Sequence, residues 1–293
     1  MSDPLDILTR ISRHAHALRP AEQKVAQTVL ADLAQAASDS IHALARRAGV
    51  SEASVTRFAK AMGCRDVREL KLRLAQAAAV GQRFLAPLQD SPAPAAPSTA
   101  DTILADIVQI LQVHHALVPQ SAVREAAARI AAARMVVVFG QGGSSATLAD
   151  EMRHRLARLG RPVSAYHDAV LQRMVAATLG PQDVLLTYSV TGQVPEANDG
   201  AGVAREYGAQ VIAVTAQGSP LAALAHVLLP VQAMETDFIF KPSASRYALL
   251  LITDMLTTEV ALQQAGRSQE LLRRIKYVLD AHRGGGERQP LGD

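Results

Sequence analysis

The amino-acid sequence predicts two folds in one chain: an all-α N-terminal part, and an α/β C-terminal part with a parallel sheet sandwiched between layers of helices. Residues 1–86 show apolar residues at helical spacing and no convincing β-rich run. Residues 101–293 alternate five short β-rich runs with helical stretches, which is typical of a parallel sheet covered on both faces. Residues 87–100 contain four prolines and little to bury, and they predict an extended linker between two domains.

The N-terminal part contains the pattern of two helices joined by a tight turn. After a first helix that starts at Pro20 and presents Val25, Val29, Leu30 and Leu33 on one face, Ser40 is placed to cap a short helix that ends at Gly49. Ser51 is placed to cap a second helix, with Val55, Phe58 and Met62 facing the core. Two helices joined by a short turn that contains Gly form a helix-turn-helix, whose second helix enters the DNA major groove.

The candidate DNA-binding residues lie on this second helix. Its outward face is expected to carry Ser54, Thr56, Arg57 and Lys60, with Ser51 at its N-terminus. Hydroxyls, Arg and Lys are the groups that meet phosphates and base edges. The alternative is an ordinary helical hairpin with a polar outside; further basic residues nearby favour DNA, namely Arg46, Arg47, Arg65 and Lys71.

The elements of the C-terminal part follow from local patterns. The β-rich runs are Met135–Phe139, Pro162–His167, Val184–Tyr188, Val211–Thr215 and Val227–Leu229. Helical stretches separate them at Ser144–Leu159, Ala169–Thr178, Pro195–Tyr207 and Leu221–Ala225. Further helices are expected in front, within residues 101–132, and behind, over Ser243–Gln264.

Two turns after predicted strands carry glycines and hydroxyls suited to an anion. The first contains Gly142, Gly143 and Ser144, where backbone N–H groups and a hydroxyl can approach a phosphate at a helix N-terminus. It lacks the third glycine of a dinucleotide-binding turn, because Ser145 stands there. The second turn contains Ser189, Thr191 and Gly192.

A third turn, 215–220, follows the next strand, and all three turns are expected at one edge of the sheet, where ligands bind. Together they predict a pocket for a phosphate and for hydroxyl groups. The alternative is that each turn only caps its own helix.

Composition and charge limit the function. The chain has 293 residues, of which 49% are hydrophobic, so it is not a disordered chain; 3% aromatic residues and no Trp argue against extensive base stacking. The single cysteine, Cys64, excludes an internal disulfide framework and is expected to be a small buried residue. Residues 1–86 hold 13 Lys and Arg against 8 Asp and Glu, whereas the rest holds 17 against 19, which favours a nucleic-acid reader joined to another domain. With no targeting signal or uncharged apolar span recognised, a cytoplasmic protein without membrane contact is expected.

With these motifs the chain resembles bacterial transcription regulators of the RpiR/MurR type, which join an N-terminal helix-turn-helix to a C-terminal sugar-isomerase (SIS) domain. The resemblance covers nearly the whole chain. It rests on 44–45, 50–51 and 55–58 in the first part, with Gly63 and 69–72, and on 140–144, 189–192, 219–221 and 245–246 in the second. It implies an α/β SIS domain over 101–293, a helix-turn-helix domain over 1–86 and the linker 87–100 between them.

The resemblance also implies a phosphosugar sensor. By motif, Ser144, Ser189 and Thr191 are implied to hold the phosphate, with Gly142, Gly143 and Gly192 offering amides, and Glu235 faces the sugar or is a solvated loop carboxylate. Val194 stands where the family pattern has a Thr, which removes one hydroxyl. The similarity extends to regulators of hexose and Entner–Doudoroff metabolism and includes 171–174, so 2-keto-3-deoxy-6-phosphogluconate is the candidate effector.

The competing interpretation is a phosphosugar isomerase or lyase. Such an enzyme needs a base and an acid near the sugar, for which Glu235 and either His167 or His226 would serve, but neither histidine lies in a catalytic motif. We therefore predict no catalytic residue, no metal site and no cofactor. The predicted partners are double-stranded operator DNA, a phosphorylated sugar or sugar acid, and a second copy of the chain in a homodimer or larger oligomer.

Overall fold

A computed structural model describes residues 6–85, 98–234 and 242–283. The chain divides into two compact units, the first within residues 6–85 and the second comprising the remaining described residues. Glu235 and most of the predicted linker lie outside the described residues. Thr99 and Ala100, the last two residues of that linker, already belong to a helix that Ser98 caps.

The first unit is helical throughout its described residues. Its helices are α1 (Ile7–His14), α2 (Pro20–Ala31), α3 (Leu33–Ser38), α4 (Ile41–Arg47), α5 (Glu52–Ala61) and α6 (Val67–Leu85). The core contains Phe58, Met62 and Leu74, and Cys64 is buried within it. Asp32 ends α2 and caps α3, so the buried Leu33 belongs to α3. Leu30 is exposed and does not lie on the predicted inner face.

The second unit is built on a five-stranded parallel sheet of order β2-β1-β3-β4-β5. The strands are β1 (Met135–Gly140), β2 (Val163–Tyr166), β3 (Asp183–Ser189), β4 (Gln210–Thr215) and β5 (Val227–Pro230). The helices are α7 (Thr99–Leu117), α8 (Gln120–Ala132), α9 (Gly143–Arg158), α10 (Ala169–Ala176), α11 (Pro195–Glu206), α12 (Pro220–Leu224), α13 (Ser245–Gln263) and α14 (Ala265–His282). β1 and β3 lie side by side, with Val138 opposite Leu186, so the turns after these strands are neighbours.

Two apolar layers cover the sheet and confirm the predicted fold class. On one face, residues of α8, α9 and α13 pack on the strands; on the other, residues of α10, α11 and α12 do so. Because β-strands alternate their side chains between faces, Val138 enters the first layer and Val137 the second. The sheet is therefore buried on both sides, as its continuous apolar strands predict.

The apolar side chains of α13 serve mainly the core of this unit. Leu249, Ile252 and Leu256 are fully buried against α8, α9 and the sheet, while Leu250 is exposed. In the described part of the chain no single helix is long and apolar enough to cross a membrane; α7 and α8 meet that test only as a pair, and they are bent by 80° at their junction.

Candidate functional site

The capping pattern of the helix-turn-helix is present in the first unit. The Ser40 hydroxyl accepts a hydrogen bond from the Ala43 N–H at 3.1 Å, and the Ser51 hydroxyl accepts one from the Ser54 N–H at 3.3 Å. Gly49 has φ +62°, a left-handed conformation that glycine adopts without strain, so the chain turns sharply between α4 and α5. α5 therefore begins with a capped N-terminus.

Ser54 does not lie on the outer face of α5, contrary to the prediction. Its side chain is only 4% exposed, because Ser54 follows the cap by three residues and falls on the same side of the helix as Val55 and Phe58. Its hydroxyl shares a hydrogen bond with the Ser51 hydroxyl at 3.0 Å and accepts one from Arg57 Nη2 at 2.9 Å. Ser54 orients Arg57 and is not available to DNA.

Arg57 is held from inside the unit while part of its side chain faces solvent. Its Nε lies 3.5 Å from Oε1 of Glu22, whose side chain is 8% exposed, whereas the Arg57 side chain is 48% exposed. The other Glu22 oxygen accepts a hydrogen bond from the Arg19 N–H at the start of α2. The first turn of α2 thus anchors the guanidinium at the surface of α5, a contact that the sequence pattern did not indicate.

The remaining candidates on α5 are accessible to different degrees. Lys60 and Ser51 are exposed, and Thr56 is half-buried with its hydroxyl donating to the Glu52 carbonyl. His42 Nδ1 lies 3.0 Å from a carboxylate oxygen of Glu52, beside the capped end of α5. We call Thr56, Arg57 and Lys60 the outer face of α5.

In the second unit a cavity of about 330 Å³ opens at the carboxyl edge of the sheet. Most of its lining comes from the turn after β1, the turn after β3 and the chain entering α13, and Ala233 after β5 adds to it. The described lining residues are Gln141, Ser144, Ser145, Tyr188, Ser189, Val190, Thr191, Val194, Ala197, Ala233, Ser243 and Ser245. The structure therefore brings together the three predicted hydroxyl residues, Ser144, Ser189 and Thr191.

The turn after β1 brings the N-terminus of α9 against the strand. A Cβ at Gly140 would overlap the Ser145 carbonyl, so only glycine permits this approach. Gly142 and Gly143 follow with φ +57° and +37°, and no side chain caps α9. Its first-turn N–H groups, near Ser144 and Ser145 at the cavity, supply the positive end of a helix dipole.

The hydroxyls of the turn after β3 accept hydrogen bonds from their own backbone. Ser189 Oγ accepts from the Gly192 N–H at 3.1 Å, and Thr191 Oγ1 from the Gln193 N–H at 3.3 Å. Each hydroxyl proton remains free to point toward a ligand. Gly192 has φ +63°, and a Cβ there would overlap the Ser219 and Thr215 hydroxyls.

The third predicted turn, 215–220, supports the site without lining it. Ser219 is buried and caps α12 by accepting from the Ala222 N–H at 3.2 Å, and its hydroxyl lies 3.5 Å from that of Thr215. Neither residue borders the cavity. The prediction that all three turns face one ligand is wrong for the turn 215–220. Its Thr215 and Ser219 hydroxyls lie against Gly192.

The N-terminus of α13 takes the third place at the cavity, through Ser243 and Ser245. The Tyr188 hydroxyl and Thr253 Oγ1 share a hydrogen bond of 2.8 Å, which joins β3 to α13. Burial raises the pKa of Tyr188, so the phenol keeps its proton. This link holds the start of α13 beside the turn after β3.

The cavity has no charged side chain among its described lining residues. Three helices begin at it, α9, α11 and α13, and in none of them does the side chain of the N-cap residue accept a hydrogen bond. The N-cap of α11 is Val194, at the position where the family pattern has a Thr. Uncapped helix N-termini carry partial positive charge, so this arrangement favours an anion.

The histidines considered as catalytic partners have structural contacts away from the cavity lining. His167 contacts the Gly140 carbonyl and the Asp150 carboxylate, each at 3.0 Å. His226 Nδ1 accepts from the Val211 N–H at 2.9 Å, and burial lowers the pKa of His226. Within the described ranges, no group of three or more His, Cys, Asp or Glu could hold a metal ion.

Comparison with known proteins places both units. Residues 5–81 match the helix-turn-helix domain of the rpiR family, and residues 129–259 match the SIS domain. The transcriptional regulator HexR of Pseudomonas aeruginosa is 35% identical over 275 residues, covering 94% of this chain and 95% of HexR. HexR of Escherichia coli is 32% identical over 279 residues, covering 95% and 96%.

The fold has a solved counterpart in the NanR protein of Vibrio vulnificus, whose structure was determined in complex with ManNAc-6P. The TM-score is 0.59 with 21% identity, over 94% of this chain and 98% of NanR. The chain belongs to the rpiR family of helix-turn-helix transcriptional regulators and carries a SIS domain. It is a DNA-binding regulator with a phosphosugar-binding type of second domain.

Proposed function

We propose that this regulator binds operator DNA through the outer face of α5 and that a phosphorylated sugar or sugar acid in the cavity changes its affinity for that DNA. The carrying observation is the meeting of hydroxyl-rich, uncapped helix N-termini at a cavity without charged side chains among its described lining residues. In this proposal residues 1–86 read DNA, residues 87–100 link the domains and residues 101–293 sense the ligand.

The phosphate is proposed to bind between the turns after β1 and β3. Ser144, Ser189 and Thr191 offer hydroxyl donors, and Gly142 and Gly143 offer backbone amides. Gly192 provides the left-handed backbone of the turn, and its N–H donates to Ser189 Oγ. Hydrogen bonds to a charged group contribute about 1.5–3 kcal/mol each, so three or four are sufficient for micromolar binding after ordering costs. Glu235 is proposed to contact the sugar and lies outside the described residues.

The proposed effector is 2-keto-3-deoxy-6-phosphogluconate. The resemblance of the sequence to regulators of hexose and Entner–Doudoroff metabolism motivates this choice, and NanR in complex with ManNAc-6P supports phosphosugars as a class. Gln172 belongs to the segment 171–174, which is part of the resemblance that indicates this effector. It is buried and accepts a hydrogen bond from the side-chain amide of Gln141 at 2.7 Å. Since Gln141 lines the cavity, Gln172 positions a polar side chain there.

The test is a mobility-shift assay of operator DNA titrated with 2-keto-3-deoxy-6-phosphogluconate, glucose 6-phosphate and N-acetylmannosamine 6-phosphate. Coupling requires that the ligand prefer one conformation of the protein, and by linkage the DNA must change ligand affinity by the same factor. The Ser144→Ala plus Ser189→Ala double variant is expected to lose the response to ligand while retaining DNA binding. An unchanged response at the same ligand concentration would contradict this site.

Phosphosugar isomerase or lyase activity is the alternative, and it is tested directly. The same three compounds are incubated with the protein and the products are followed by NMR. A regulator returns each compound unchanged, whereas turnover that disappears in the double variant would establish an enzyme. The transcriptional regulators among the relatives favour the first outcome.

A further inference from the structure

Ser245 has a buried hydroxyl at the cavity that lacks a hydrogen-bond partner among the described residues. It is the first residue of α13 and is 4% exposed. Its Oγ makes no hydrogen bond to any described residue, yet Ser245 lines the cavity. A buried hydroxyl without a partner costs free energy, so its presence at a cavity points to a partner supplied by a ligand.

The backbone around Ser245 also favours a hydrogen-bond acceptor supplied by a ligand. α13 is 19 residues long, and its N-cap, Ala244, has no side chain that accepts a hydrogen bond. The Ser243 hydroxyl accepts one from the Ser245 N–H at 3.3 Å, and the other first-turn N–H groups carry the partial positive charge of a long helix. The adjacent cation does not line the cavity: the Arg246 guanidinium lies 4.8 Å from the centre of the Tyr247 ring and donates to the Tyr247 hydroxyl.

The phosphate has its donors elsewhere. The turns after β1 and β3 supply the hydroxyls of Ser144, Ser189 and Thr191, together with the N-termini of α9 and α11. A terminal phosphate presents three free oxygens, and these groups are enough for them. Ser245 comes from a separate element that borders the same cavity, so it is left for another part of the ligand.

We propose that Ser245 and the first turn of α13 bind a carboxylate of the ligand, at a position distinct from the phosphate. This inference rests on the proposed function. A hydroxyl donor beside a helix N-terminus is complementary to an anionic oxygen, and no described lining residue carries a carboxylate that would repel it. The site then distinguishes phosphorylated sugar acids from phosphorylated sugars of the same size.

The experiment compares 6-phosphogluconate with glucose 6-phosphate, which share six carbons and a phosphate but differ in the carboxylate. Calorimetry measures both dissociation constants, and inorganic phosphate is measured by competition. The wild-type protein is expected to prefer 6-phosphogluconate. Ser245→Ala is expected to weaken the affinity for 6-phosphogluconate about tenfold. The affinity for glucose 6-phosphate is expected to change little, and that for inorganic phosphate is expected to stay unchanged.

Thr187→Val is the matched control. Thr187 lies on β3 and is fully buried, and its hydroxyl likewise has no hydrogen-bond partner among the described residues, but it does not line the cavity. Both variants remove an unpaired buried hydroxyl, so neither is expected to lower the thermal unfolding temperature of the ligand-free protein. Only Ser245→Ala is expected to reduce affinity for 6-phosphogluconate.

The outcomes separate this inference from the proposed function. If the wild-type protein binds none of the phosphorylated compounds, both are overturned. If it binds them and Ser245→Ala retains the wild-type ratio of the two affinities, only the role of Ser245 is overturned. A loss of affinity for inorganic phosphate equal to the loss for 6-phosphogluconate also overturns it, because Ser245 would then contact the phosphate.

Discussion

At the scale of single residues, variants of Arg57 and Lys60 distinguish sequence-specific contacts to DNA bases from charge contacts to the DNA phosphates. Arg57 is fixed by Ser54 and Glu22, whereas Lys60 is exposed on the same face. Arg57→Ala is expected to weaken operator binding by about 1–3 kcal/mol, because an oriented guanidinium suits a base edge. Lys60→Ala is expected to weaken binding to all DNA sequences alike. The number of ions released on binding, measured from the salt dependence of affinity, is expected to fall by about one. Mobility shifts on operator and unrelated DNA at several salt concentrations measure both.

Thermal unfolding provides the control for Arg57. Removing its guanidinium leaves the nearly buried Glu22 carboxylate without this partner, so Arg57→Ala is expected to lower stability as well. Glu22→Gln keeps the shape and weakens the anchor, and a smaller loss of operator affinity is expected. Undiminished operator affinity in Arg57→Ala would refute the assignment of Arg57.

Gly192 is the residue on which the turn after β3 depends. A side chain there meets both a left-handed backbone, φ +63°, and the hydroxyls of Ser219 and Thr215. Gly192→Ala is expected to lower the free energy of unfolding by about 1–3 kcal/mol and to abolish phosphosugar binding. Denaturant titration and calorimetry measure the two effects.

Gly202 in α11 is the matched control for that change. A Cβ there meets nothing within 4 Å, so Gly202→Ala is expected to preserve ligand binding and to stabilise the helix by roughly 0.5–1 kcal/mol. Equal behaviour of the two alanine variants would show that the turn tolerates a side chain.

At the scale of elements, His226 couples β4 to β5. Its ring Nδ1 accepts a hydrogen bond from the Val211 N–H, and its backbone N–H donates one to the Val211 carbonyl at 2.8 Å. Burial, with Arg205 and Arg129 nearby, lowers the pKa of His226 below its ordinary 6.5. The His226 imidazole therefore takes up a proton more readily in the unfolded chain than in the folded chain. The stability that neutral His226 contributes is complete above pH 6.5 and is lost as the pH falls through its lowered pKa.

Denaturant unfolding between pH 5 and 8 tests this role. The midpoint is expected to fall on the acid side of pH 6.5, and His226→Asn, which offers an uncharged acceptor, is expected to reduce that fall. His42, an exposed histidine in the other unit, is the control, because His42→Asn should leave this dependence in place. An identical pH profile in His226→Asn and wild type would contradict the assignment.

At the scale of the whole molecule, we expect a homodimer. A helix-turn-helix usually meets two half-sites about one DNA turn apart, which requires two reading helices in one particle. The apolar helix α13 does not offer the dimer contact, because its Leu249, Ile252 and Leu256 are buried in the core of its own unit. Leu104 and Val108, which are both exposed and lie one turn apart on α7, are the better candidates.

Light scattering at micromolar concentration is expected to return twice the mass of the chain. Leu104→Asp combined with Val108→Asp is expected to halve that mass. The same change at Val170 and Met174, exposed on α10, should leave the dimer intact. A monomeric wild-type protein would disprove the dimer, and a dimeric α7 variant would disprove this interface.

Local patterns in the sequence were sufficient for the elements and for two sides of the cavity. The five strands were placed to within one or two residues, because a parallel strand buried on both faces is a short continuous apolar run. Ser144, Ser189 and Thr191 were found together because parallel strands end at one edge, so residues after neighbouring strands must lie close.

Packing between elements decided what local patterns could not. Ser54 and Lys60 look alike as polar residues on α5, but Ser54 is buried and contacts Arg57, whereas Lys60 is exposed. The turn 215–220 has the same kind of hydroxyls as its neighbours, yet they support Gly192 and not a ligand. Ser245 is remote in sequence from both turns and reaches the cavity because α13 packs back on β3 through Thr253 and Tyr188. Such roles depend on which surfaces meet in three dimensions, and hydrophobic periodicity records only which face of each element is buried.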